Sequence, residues 1–235
     1  MTIIQSTWQW LIDPAQWQGP DAILTRIAEH VQLSAESIAI GALIALPIGI
    51  TLGHFGKFGN VAINVSNVGR AVPSFAILVI AFQIFGLGDF PIVLALTALA
   101  IPPMVTNSYV AMREVDQDVK DAARGMGYRE LAQLVRIELP LAVPLIMTGL
   151  RLSAVQVVAT ATLAAEIAGG GLGRFIVDGL ARFDTPRLVA GAVLVAALAL
   201  TTDALLAQVQ RLLMPQGIRL LQRPLAARIA TAKAA

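Results

Sequence analysis

Asp121, Ala122 and Ala123, followed by Gly127 and then by Ile137, Leu139 and Pro140, form the one constellation in this chain whose types and spacing suit a specific task. On residue types alone the task is docking or that of a solvated connector between spans, and not bond-making. Two small side chains let a foreign backbone approach closely, a glycine supplies a turn closed to other residues, and a carboxylate adds a directional contact. Bond-making chemistry finds little to work with. There is no cysteine, and the two histidines, His30 and His54, make no convincing metal site. No nucleophile pairs with a base. The run GHFGKFG around Lys57 has neither the spacing nor the following hydroxyl of a phosphate cradle. The expected catalytic residues, metal ligands and cofactors of this chain are therefore none.

The elements that must position the constellation are apolar. The 235 residues are 57% hydrophobic and 14% charged, with a mean hydropathy of +0.74. A water-soluble domain has too little interior for so much apolar side chain, which makes lipid the expected solvent and nucleic acid no partner. Crossing the hydrocarbon core takes about 20 apolar residues. Five segments qualify: Leu33 to Gly53, Val61 to Phe85, Pro91 to Met112, Leu139 to Ala168, and Leu188 to Leu213. The fold class expected is an all-α integral membrane protein of about five transmembrane helices. If the segment holding Asp121 faces the cytoplasm, eleven of the seventeen Lys and Arg residues lie inside, four outside and two, Arg70 and Arg151, within spans. That bias places the N-terminus outside and the C-terminus inside. Residues 1–32, with Trp8, Trp10 and Trp17, read as an interfacial segment on the outer headgroups and not as a cleavable signal. Residues 33–213 form the membrane domain, and 214–235 a basic cytoplasmic tail.

Between the third and fourth spans, residues 113–138 read as a helix–turn–helix knuckle. Val115, Val119, Ala122 and Met126 recur at helical spacing and mark one face. Asp116 and Lys120 form an acid-first pair one turn apart. Gly127 supplies a left-handed turn, Leu131, Leu134 and Val135 line a second short helix, and Pro140 stands where a new helix begins.

The run D-A-A, three residues, Gly, nine residues, I-x-L-P resembles the coupling motif of ABC importer permeases at every position, with Asp121 in place of the family's usual Glu. The resemblance extends over roughly residues 20–215. The stretches WLIDPAQWQGPDAILTRIAEHVQLS, GRAVPSFAILVIAF and AAEIAGGGLGRFI look like permeases for quaternary-amine osmoprotectants such as glycine betaine, carnitine, choline and proline betaine. The Gly-rich stretch also occurs in related permeases for methionine or sulfonates. The resemblance implies a type I permease with a methionine-importer-like fold, in the bacterial inner membrane. It implies two cytoplasmic ATP-binding subunits that hold ATP and Mg, a second permease chain, identical or paralogous, and an extracytoplasmic binding protein. Asp121, Ala122, Ala123, Gly127, Ile137, Leu139 and Pro140 would couple this chain to the ATPase by helix-in-groove recognition. A secondary transporter is the competing class, against which no inverted repeat is found.

Polar and helix-breaking residues inside the spans are candidates for the solute path. Pro73 and Ser74 mark an expected gating kink. Glu166 near the outer end of the fourth span suits a trimethylammonium or else caps the glycine turn. Gln156 and Thr160 are further candidates, and Thr160 and Thr162 are also expected to bond back to their own helix. Arg70 and Arg151 either line the path or cap neighbouring carbonyls. Gly169, Gly170, Gly171 and Gly173 offer a bare loop for the binding protein, or a tight turn back into the membrane.

Overall fold

A computed structural model describes residues 2–56, 59–167, 169–215 and 217, and every regular element among them is helical. Lys57 and the proposed tail beyond 217 lie outside the described residues, as does the side chain of Arg70. Helix α1, Ile3–Ile12, opens on a capping box in which Thr2 and Gln5 satisfy each other's backbone amides. It is followed by α2, Ile23–Phe55, and α3, Gly59–Ala71. Then come α4, Ser74–Phe85, and α5, Asp89–Arg113. Next are α6, Gln117–Gly125, and α7, Glu130–Gln133. A π-helical turn, Leu134–Glu138, leads into α8, Leu139–Thr160, and a 3-10 segment, Ala161–Ile167, extends it. Last come α9, Gly173–Ala181, and α10, Thr185–Leu213.

Among the described residues, four helical stretches are long and apolar enough to cross a membrane: Ile23–Phe55, Asp89–Arg113, Glu130–Ile167 and Thr185–Leu213. The fifth expected span, Val61 to Phe85, is two helices. The chain leaves helical geometry at Val72 and Pro73 and restarts at Ser74, so the expected kink is a complete break. Proline explains it, because Pro73 disfavours helical geometry in Val72 and donates no amide of its own. The first expected span, Leu33 to Gly53, is part of a longer helix. Helix α2 runs unbroken through residues 32 and 33, about 50 Å in all, and starts ten residues earlier.

Helix α2 packs along α5 through a stripe of small residues four apart, Gly41, Ala45, Gly49 and Gly53. A Cβ on Gly49 would lie 2.7 Å from that of Ser108, and one on Gly53 2.6 Å from that of Met112, so the two backbones approach as closely as side chains allow. In lipid, where burying apolar surface gains nothing between helices, such close approach is what holds them together. The central core combines Leu33 and Ala45 of α2, Leu78 of α4, Leu96 and Met104 of α5, and Val157 of α8. A second cluster, Met112, Val115, Ala142 and Ile146, seats the knuckle. At the opposite end Ile23, Leu172, Phe175 and Val195 pack together, and Trp10 meets Phe175 edge-on at 5.3 Å. The outward faces carry Leu43, Ile84, Leu200 and Leu205, apolar and exposed, as lipid requires.

Candidate functional site

The knuckle begins at Asp116, whose side chain caps α6 by accepting the Asp118 amide at 2.9 Å. The expected Asp116–Lys120 pair is therefore absent. Lys120 turns inward instead and donates from Nζ to the Met112 carbonyl at 3.0 Å. At the other end of α6 the Tyr128 amide bonds the Ala123 carbonyl at 3.1 Å and the Gly127 amide bonds that of Arg124 at 2.9 Å. Gly127 itself sits at φ +82°. This is the paired closure of a helix on a left-handed residue, as the sequence predicts. No atom lies within 4 Å of where a Gly127 Cβ would stand, so the glycine serves backbone conformation and not space.

The expected apolar face is corrected. Val115 precedes α6 and does not share its register. Ala123 and Lys120 are buried against the bundle, whereas Val119, Ala122 and Met126 are exposed. Leu131 and Val135, on the following turn, are exposed as well, Leu131 at 71%. The knuckle thus presents a stripe of uncovered apolar side chains on its far side, while its near side is fastened to the bundle. Asp121 stands on the rim, pairing with Arg124 at 3.2 Å and accepting from Gln117 at 3.1 Å. Exposed as they are, these contacts orient the carboxylate more than they stabilise the helix.

Pro140 stands in the first turn of α8, where it is expected, but that helix is not a fresh start. The knuckle's second arm is continuous with α8, and the π-helical turn precedes the proline, with the Leu139 amide reaching back five residues to the Leu134 carbonyl. The wider turn accommodates a residue that has no amide to donate. Ile137, Leu139 and Pro140 are half-buried along this arm.

The residue between Ile137 and Leu139 was not singled out by motif or hydropathy, and it is the centre of the site. Glu138 is 1% exposed. Its carboxylate accepts from Gln133 Nε2 at 2.7 Å and meets His54 Nδ1 at 2.9 Å, with Lys120 Nζ at 3.9 Å. In the Nδ1-protonated tautomer His54 donates to this carboxylate. Helices α2, α6 and α7 therefore meet on one buried carboxylate. The signal available in the sequence was an acid set directly before the Leu-Pro that opens an apolar span.

The opposite end is fastened as well. Glu29 accepts the Gly171 amide at 2.8 Å, and His30 Nδ1 accepts that of Leu172 at 3.2 Å. His30 Nε2 in turn donates to the Val158 carbonyl at 2.8 Å, which fixes its tautomer. Glu29, and not Glu166, holds the glycine turn. Glu166 is exposed on the 3-10 segment. Gly169, Gly171 and Gly173 are buried, and Gly170 is half-buried. A Cβ on Gly173 would fall 2.1 Å from the Thr162 carbonyl oxygen, and one on Gly170 2.5 Å from Glu29 Oε2. The close approach these glycines permit is to this chain itself.

Of the remaining residues, Pro73 is exposed, while Ser74, Gln156 and Thr160 are half-buried. Thr162 bonds back to the Ala159 carbonyl at 2.7 Å. Arg151 caps no carbonyl. It forms a two-pronged pair with Asp203 of α10, both contacts at 2.9 Å, and a third bond to Gln210 at 3.0 Å. Asp203 drew no notice within its apolar run.

Known proteins match this arrangement. Residues 41–214 match the model of a family described as binding-protein-dependent transport system inner membrane component. The chain is 34% identical over 200 residues to the choline transport system permease protein OpuBB of Bacillus subtilis, covering 85% of this chain and 92% of that one. It is 36% identical over 197 residues to the carnitine transport permease protein OpuCB of Listeria monocytogenes, covering 84% and 90%. It is 34% identical over 191 residues to the osmoprotectant import permease protein OsmY of Salmonella typhimurium, covering 80% and 81%. Among solved structures, an inward-facing form of the MetNI methionine ABC transporter superposes with a TM-score of 0.73 at 19% identity, covering 86% of this chain and 99% of that one.

Proposed function

The chain belongs to the family of binding-protein-dependent transport system inner membrane components, and from that membership we propose that it is the translocation subunit of an ABC importer for quaternary-amine osmoprotectants. Relatives bearing the names of choline, carnitine and osmoprotectant permeases, aligned over four fifths or more of the chain, support the solute class. The likeness to the methionine transporter supports the fold alone. Choline, carnitine and the betaines share a permanent cation that no pH removes, so the chemistry to be accommodated is a desolvated quaternary ammonium.

One observation carries the mechanical half of the reading: an exposed apolar stripe on a knuckle whose other side is bonded into the bundle. Val119, Ala122, Met126, Leu131 and Val135 are left open. Apolar anchors spaced along a short helix suit a groove on a partner. The partner is a nucleotide-binding subunit on the cytoplasmic face, two of which hold ATP and Mg and supply the energy. Two permease chains enclose the path, the N-terminus faces outward, and a binding protein delivers solute. The glycine-loop end then faces that protein, with Glu166 as the exposed carboxylate available to a cationic solute. Pro73 and Ser74, at the break between α3 and α4, provide a place for the path to open.

Uptake of radiolabelled choline, carnitine and glycine betaine into proteoliposomes holding the whole complex tests the proposal. Uptake is expected to require internal ATP and to survive dissipation of the proton gradient. Uptake driven by the gradient without ATP, or methionine taken up in place of the amines, would overturn it.

A further inference from the structure

The chain's two histidines stand on one helix, twenty-four residues and about 36 Å apart, and each is bonded to a different end of the bundle. His54 meets the knuckle through Glu138 at 2.9 Å. His30 holds the Leu172 amide and the Val158 carbonyl, and its neighbour Glu29 holds the Gly171 amide. Both rings are buried, His30 completely and the His54 side chain at 4% exposure. We infer that α2 is the strut through which the knuckle moves the glycine-rich loop at the far end, with His54 and Glu138 as the positioning residues at one fastening and His30 at the other. The inference rests on the importer reading above.

Three observations favour α2 over other routes. The covalent route, along the knuckle's second arm and α8, is interrupted by the π-helical turn at one end and the 3-10 segment at the other. Both depart from regular α-helical hydrogen bonding, the π turn wider and the 3-10 segment tighter, and displacement is absorbed at such departures. Helix α2 carries neither interruption. Its one weak point, Pro47, lies within the small-residue stripe, where Ala45 and Gly49 press the backbone onto α5. Lastly, Lys120 ties the knuckle to the end of α5 through the Met112 carbonyl, so the seam between α2 and α5 is held at the same point. Displacement of the knuckle therefore reaches two packed helices that move as one body, and the hydrogen bonds of Glu29 and His30 deliver it to Gly171 and Leu172. The loop in question closes against α2 through the Gly171 and Leu172 amides, so it follows that helix.

The test uses the complete importer in proteoliposomes and reads two quantities. One is solute carried per ATP hydrolysed. The other is amide hydrogen exchange at Gly171 and Leu172 with and without nucleotide. His54→Leu fills the space without a donor and should lower the ratio about tenfold, the scale of one charge-assisted hydrogen bond expressed as coupling. It should also remove the nucleotide-dependent change in exchange at the far loop. His54→Asn places an amide donor where Nδ1 stands and should keep both readouts near those of the parent, which separates the bond from mere folding. A normal ratio in His54→Leu overturns the inference. Equal loss in the Leu and Asn variants does too, as does far-loop exchange that still responds to nucleotide when the ratio has fallen. A parent complex whose uptake ignores ATP would instead sink the importer reading itself, and the strut with it.

Discussion

His54 and Glu138, 84 residues apart in the chain, face each other at 2.9 Å across the root of the knuckle. The contact joins the end of the first long helix to the early part of the third membrane-crossing stretch, Glu130–Ile167. It is buried on both sides, with side-chain exposures of 4% and 1%. Removing the carboxylate leaves the Gln133 amide enclosed without this acceptor and the Lys120 ammonium, still bonded to the Met112 carbonyl, without its opposite charge. Glu138→Ala is expected to destabilise the chain by about 3 kcal/mol, the cost of stranding a buried charge. A lowered Tm of the purified protein in detergent, with Glu138→Gln between the two, is the measurement.

Gly127 tests backbone conformation alone. At φ +82° with open space around it, alanine there meets no clash and carries only the penalty of a left-handed residue, about 1 kcal/mol. The knuckle should remain folded, with uptake reduced modestly. Gly127→Trp adds bulk beside the exposed stripe and should abolish uptake while the protein stays in the membrane. Quantitative uptake set against membrane abundance distinguishes the two effects.

Arg151 and Asp203 should behave as a unit. Either Asp203→Ala or Arg151→Met alone leaves one charge without its partner at the packing of α8 on α10. Each single change should reduce the folded protein recovered from membranes, and the double change Arg151→Met with Asp203→Leu should recover it. Recovery of monodisperse protein on size exclusion reads the outcome. A double variant no better than the singles would mean that the pair acts in transport and not in folding.

Gly173 is the sharpest steric test. A methyl group there would overlap the Thr162 carbonyl oxygen at 2.1 Å, and backbone cannot swing aside as a side chain does. Gly173→Ala is expected to cost about 3 kcal/mol. Gly86→Ala, with nothing within 4 Å of the added methyl, should carry only the penalty of its positive φ. Paired thermal melts of the two variants compare space with conformation.

Much of the site was legible in one dimension. The left-handed closure at Gly127 follows from residue type, since few other residues adopt that backbone, and the structure places it as expected. The break at Pro73 followed from the missing amide, although its completeness did not. Lys120 shows where such reading ends. Spacing paired it with Asp116 on its own helix, but Asp116 is consumed by capping and Lys120 finds a carbonyl from another helix. The glycines at 169–173 show the same limit. Their small size was evident, yet whether it served a visitor's approach or the chain's own packing depended on Thr162 and Glu29, which are remote or unremarkable in sequence.

By itself the amino-acid order determined that the chain is helical, that it lives in lipid, and that a charged knuckle with a glycine hinge interrupts it. Those properties come from composition, hydropathy and local backbone preference, which neighbouring residues settle among themselves. Tertiary structure alone decided which side of the knuckle is fastened and which is free, that Glu138 collects three helices, and that the two histidines set aside as metal ligands fasten α2 to opposite ends of the bundle. A buried polar group takes whatever partner folding brings within about 3 Å. That partner comes from another helix, tens of residues away, and no local pattern in the chain specifies it.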